Sequence, residues 1–115
     1  MGKIYIRSPW AQLIVEGQKT IETAAFNLPQ RFAGQWLQVQ TEGQQIIGRV
    51  KFKGSKRYTS AQEFNSDSAA HRVGPGSAFH YQNRKRCFAW VVSQVVAFKA
   101  PRRAKPFKSQ FRLEH

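Results

Sequence analysis

Cysteine, acidic residues and long apolar runs are all scarce in this chain. Cys87 is the only cysteine, so no intramolecular disulfide can form, and a reducing compartment is the simpler expectation. No apolar run approaches the ~20 residues that a membrane helix needs. The N-terminus has no apolar signal region, so neither spanning nor secretion is expected and the reading is a cytoplasmic protein. Six Asp and Glu stand against 19 Lys and Arg, a formal charge of +13. Residues 1–42 hold four basic and three acidic side chains, whereas residues 43–115 hold fifteen and three. A small domain so unbalanced repels itself unless it meets a polyanion, and nucleic acid is the usual one. No strongly apolar helix face opposite a basic one speaks for a membrane surface.

The 115 residues suit one domain with a modest core. That domain is placed at residues 4–112. Leu113-Glu-His115 resembles the start of a purification tag and is set aside from the fold.

The most informative stretch is Ser8–Ala24, a short helix feeding into a strand. Ser8 suits the cap, Pro9 the first helical position and Gly17 the left-handed stop. Trp10, Leu13 and Ile14 share one face. After Gly17 the period becomes two, with Lys19 and Ile21 on one side and Thr20 and Glu22 on the other. Lys3–Arg7 reads as a first strand, Asn27–Gln30 as a loop and Gln35–Thr41 as a strand. A tight turn at Glu42-Gly43 returns the chain through Gln45–Lys53. Ser60 with Glu63 forms a capping-box pattern for a short helix, and a second helical turn ends at Gly74. Cys87–Phe98, apolar on both faces, is expected to be a central strand. Pro101–Pro106 reads as an extended basic tail, with Phe107 and Phe111 tying its end back onto the barrel. Five or six strands with two or three short helices argue for an α+β fold with a closed or strongly bent sheet.

Several side chains are candidates for binding. Lys19 contacts a phosphate or a base carbonyl, or is merely paired with Glu22; as a catalytic base or nucleophile it needs a depressed pKa. Glu22 can accept from the exocyclic amine of a base or balance a nearby cation. Trp10 and Phe26 are aromatics near the cleft, although Trp10 also fits a core position, and Trp90 is assigned to the core. Trp36, flanked on its strand face by Gln38 and Gln40, is placed for exposure and base stacking. Arg49, Lys51 and Lys53 form a stripe that either tracks phosphates or is a solvated face. Arg84-Lys85-Arg86 and Arg102-Arg103 with Lys105 are the densest basic clusters and suit phosphate contacts. His71, His80 and Cys87 lack metal-ligand spacing, so no metal and no cofactor are expected.

The stretch Trp10-Ala11, then Gly17-x-Lys19-x-x-Glu22, resembles the signature of ASCH domains, the activating-signal-cointegrator homology group of the PUA-like barrel superfamily. Ile47-Gly-Arg-Val50 resembles the group's second β segment and Phe88-Ala-Trp-Val91 its closing core strand. Ala69-x-His-Arg-Val73 has a similar place between them. The resemblance implies a β-barrel with a cleft that binds RNA or a modified nucleoside. It also implies, for some relatives, hydrolysis of an acylated cytidine or of single-stranded RNA, with the lysine matching Lys19 as the central group. The chain departs from the pattern at Ala24, where the motif usually has arginine. Relatives of the amidohydrolase type also use a later carboxylate, and only Glu63 and Asp67 remain between Gly43 and Arg112. The reading is an RNA-binding domain; the alternatives are an RNA- or nucleoside-directed hydrolase using Lys19 and a protein-interaction adaptor. DNA stays open as a ligand, because phosphate contacts do not distinguish it from RNA.

Overall fold

In a computed structural model, whose described residues are 1–109 and 112–115, six strands form one sheet. They are β1 (Gly2–Tyr5), β2 (Ile21–Ala24), β3 (Trp36–Gln40), β4 (Gln45–Arg57), β5 (Phe88–Arg103) and β6 (Leu113–Glu114), in the order β2-β5-β4-β3-β1-β6. The sheet curls into a half-barrel and carries three short helices: α1 (Trp10–Val15), α2 (Ala61–Ser66) and α3 (Ser68–His71). This is the α+β architecture with a strongly bent sheet that the strand and helix pattern predicts.

Alternation along the strands makes one face apolar. Leu37 and Val39 of β3 and Val50 and Phe52 of β4 are fully buried, together with Ile4, Ile14 and Trp90. Gly48 lets α1 lie close on the sheet. A Cβ built there would sit 2.4 Å from the Val96 carbonyl oxygen and 2.8 Å from Val15 Cγ1. A second cluster gathers Ile21, Tyr58, Phe64, Val73, Cys87 and Ala89 beneath α2 and α3.

Several expectations need correction. Ser8 does not cap α1, because its hydroxyl donates to Glu42 (2.8 Å) and accepts from the Gln12 amide (2.9 Å). Pro9 stands at the cap, one position before the helix. Strand β2 begins only at Ile21, since the N–H groups of Gln18 and Lys19 both bond back to the Leu13 carbonyl. The second helical turn stops at Arg72, in left-handed backbone (φ 61°), rather than at Gly74. Strands β4 and β5 outrun their predicted ends, because each supplies the other's ladder: Gln45 and Ile46 pair with Arg103 and Arg102, so Pro101–Arg103 is strand and not tail. Leu113 and Glu114, set aside above, pair with Ile4 and Lys3 as β6, and Leu113 is buried. Phe107 packs edge-on against Tyr5 at 5.8 Å between ring centroids; Phe111 lies outside the described residues.

The curled sheet leaves β2 and the β1–β6 pair as its two ends, and Arg112 joins them. Its guanidinium donates to the Tyr5 carbonyl (3.1 Å) on one side and the Thr23 carbonyl (3.0 Å) on the other. A single side chain thus satisfies backbone acceptors at both margins of the gap.

Candidate functional site

At this closure the sheet, α1 and the segment before β5 enclose a cavity of about 530 Å³. Its polar floor is built around Lys19. The side chain is fully buried, donates from Nζ to the His71 carbonyl, and lies 3.4 Å from Glu22 Oε1. The other carboxylate oxygen, Oε2, accepts from Arg112. Glu22 therefore stands between two cations, one on each oxygen.

The turn after α1 explains why Lys19 faces inward beside Glu22, although a strict period-two pattern puts them on opposite sides. Lys19 precedes the strand, so the alternation does not yet apply to it. Thr20 N–H bonds the Ala70 carbonyl (2.9 Å), which seats this segment against α3. The acceptor for Lys19 is held in turn by the imidazole of His71. Nδ1 accepts from Val73 N–H (2.9 Å), leaving Nε2 as the donor to the Phe64 carbonyl (2.8 Å). The ring also stacks on Phe64, with centroids 4.0 Å apart.

Burial pulls the Lys19 ammonium below the ordinary lysine range, Glu22 pushes it back up, and Arg112 and Arg84 add smaller downward pushes. Burial likewise lowers His71 and so favours its neutral form. The cavity wall carries Arg7, Arg84 and Arg112 besides Lys19, against the single carboxylate of Glu22. Aromatic rings complete it. Trp10 packs edge-on against Phe79 (5.5 Å) and donates its indole N–H to the Arg72 carbonyl (3.2 Å). Phe26 packs edge-on against the core residue Trp90 (5.3 Å). The arrangement has one buried carboxylate, a buried ammonium, guanidinium groups and exposed ring surface, which suits a planar polar ligand with negative charge.

Of the predicted residues, Trp10, Lys19, Glu22, Phe26 and Arg84 share this cavity, and Lys85 and Arg86 line an adjoining groove with Arg84. The others lie elsewhere. Arg49 and Lys51 are held over the Trp36 ring at 4.4 and 4.7 Å, on the sheet face turned from the core, with exposed Lys53 farther along β4. Half-buried Trp36 is thus a seat for cations. Arg102, Arg103 and Lys105 are exposed at the far end of the β4–β5 ladder, where Arg102 lies over Phe98 at 4.4 Å. Neither Glu63 nor Asp67 reaches the cavity: Glu63 accepts from Thr59 N–H, and Asp67 accepts from Tyr58 and pairs with Lys56. Sequence reasoning missed Tyr5, Arg7, Phe79 and above all Arg112. No local pattern marks Arg112, whose partner lies 90 positions away.

Neither a protein-family model nor a curated protein matches the sequence. Solved structures do match. A serine-to-alanine mutant of the ASCH protein from Zymomonas mobilis aligns with TM-score 0.79 and 13% identity, covering 98% of this chain and 85% of that one. A tyrosine-to-phenylalanine mutant of the same protein gives 0.71 and 13%, over 89% and 74%. The ASCH structure from that organism without a stated mutation gives 0.69 and 12%, over 84% and 68%. At such identities the likeness is one of backbone, and it defines the class: the chain has an ASCH-type fold. A guanidinium does reach Glu22, but from Arg112 rather than from position 24.

Proposed function

We propose that this protein binds RNA, taking one base or modified nucleoside into the cavity while basic side chains hold the backbone. The observation that carries the reading is the buried Lys19–Glu22 pair at the floor of an aromatic-walled cavity with arginines around it. Lys19 and Glu22 offer a donor and an acceptor to base edges, and Trp10 or Phe26 offers ring surface for stacking. Arg84, Lys85 and Arg86 beside the cavity supply the phosphate contacts, while the Arg49/Lys51/Lys53 stripe and Arg102/Arg103/Lys105, which lie away from it, add long-range attraction. The proposed setting is the cytoplasm, in keeping with a single, buried cysteine.

Binding of short single-stranded RNA, duplex RNA and DNA across a salt series tests this. The expected result is salt-sensitive binding that Lys19→Ala weakens at least about tenfold while the variant still melts cooperatively. Tight binding that ignores salt, or that Lys19→Ala leaves intact, contradicts it.

One observation favours a second reading, hydrolysis of RNA or a modified nucleoside: Lys19 is a buried amine whose affinity for its proton is reduced. Product that forms with wild type and vanishes with Lys19→Ala supports it. Turnover unchanged in that variant removes it.

A further inference from the structure

We propose that the groove formed by Arg84, Lys85 and Arg86 is a phosphate subsite continuous with the cavity, so that the preferred ligand is a phosphate-bearing nucleotide and not a free nucleoside. This rests on the reading that the cavity accepts a base, and adds the chemical class of what enters. The groove has a volume of about 420 Å³ and is lined by these three side chains and Ala25. Ala25 and Arg84 also line the cavity, so the two spaces meet at those residues. Arg84 is half-buried and held in place, over the Phe79 ring at 5.5 Å and 3.8 Å from Cys87 Sγ. Lys85 and Arg86 are exposed beside it. Among the described residues, a group bound in the groove therefore meets three cations and no carboxylate, beside a cavity lined by the rings of Trp10, Phe26 and Phe79.

The charge inside the cavity points the same way. Four basic side chains line it, and its one carboxylate already serves Lys19 on one oxygen and Arg112 on the other. A neutral nucleoside would desolvate that excess of positive charge without compensating it, whereas a phosphate compensates it and gains charge-assisted hydrogen bonds. Guanidinium groups suit phosphate oxygens in particular, because their paired N–H groups match two of them at once. A terminal phosphate monoester and the diester of a strand share this chemistry.

The test compares affinities for the four ribonucleosides, their 3′- and 5′-monophosphates, and a short single-stranded oligonucleotide at one salt concentration. The expected result is that a monophosphate binds at least about tenfold more tightly than its nucleoside. In Lys85→Ala/Arg86→Ala that ratio collapses towards one. In Arg31→Ala/Lys99→Ala, which removes the same charge from exposed positions elsewhere, it persists. An oligonucleotide that outbinds both monophosphates assigns the groove to a diester, and monophosphates that match it assign the groove to a terminal phosphate. Equal affinity for nucleoside and monophosphate, with both weakened by Lys19→Ala, overturns the phosphate subsite while leaving the base-binding cavity standing. Equal loss of the ratio in both double variants also overturns it, since overall charge then explains the preference. No binding of any of these ligands overturns the subsite and the cavity reading together.

Discussion

His71 shows how one side chain fixes another without touching the cavity. Its ring is locked as the Nε2–H tautomer by Val73 N–H and the Phe64 carbonyl, and its own carbonyl receives the Lys19 ammonium. Because burial lowers its pKa, the unfolded chain takes up a proton just below about pH 6.5 while the folded chain does not. The unfolded state then binds more protons, so stability falls as pH drops from 6.5 towards the folded pKa. Urea midpoints at pH 7.5, 6.5 and 5.5 are expected to decline over the last interval, and flat midpoints contradict the assignment. Arg112 makes a second prediction. Replacing it with alanine leaves the Tyr5 and Thr23 carbonyls and one Glu22 oxygen without their donor, at a cost of about 2 kcal/mol. Arg112→Lys keeps the charge but loses the fork, so it is expected to recover only part of that loss in chemical denaturation.

At the scale of elements, the α1-to-β2 segment was legible in its order, a short helix stopped at a glycine and then a strand, because those signals are local. Gly17 adopts the left-handed backbone (φ 81°) that its place after the helix predicts, and Ser60 caps α2 by accepting from Glu63 N–H. The alternation that makes β3 and β4 two-faced was equally visible. What was not legible depends on partners distant in sequence. Ser8 abandons its cap for Glu42, 34 positions on, and β5 runs to Arg103 only because β4 is there to pair with it. Strand β1 lies parallel to β3, a pairing that no turn announces. Gly48 belongs to this scale too, since helix and sheet meet over it. Gly48→Ala forces its new methyl against the Val96 carbonyl and Val15, and a loss of about 1–3 kcal/mol is expected from the shift of urea midpoint. A variant as stable as wild type would show that α1 can move away at no cost.

Across the whole molecule, the fold was readable and the site only in part. Trp10, Lys19 and Glu22 stand within one stretch, so their proximity could be expected. Arg7, Phe79, Arg84 and Arg112 come from segments distant in the chain or outside its strands, and they converge on them only in the folded molecule. The basic residues also divide spatially in a way that composition does not reveal: some surround the cavity and its groove, others ride on Trp36 or stand at the far end of β5. If about three phosphates are engaged by the RNA, the affinity should fall with salt at a log–log slope of about −2. A slope near zero would remove the electrostatic part of the proposal.

The most direct test is where an oligonucleotide touches the protein. Amide chemical shifts, followed by NMR while short single-stranded RNA is added, are predicted to move at Lys19–Phe26, Val73, Phe79–Arg86 and Arg112, the residues around the cavity and groove. Changes confined to Trp36, Arg49, Lys51 and Lys53 would place RNA on the opposite face of the sheet and contradict a base-binding cavity.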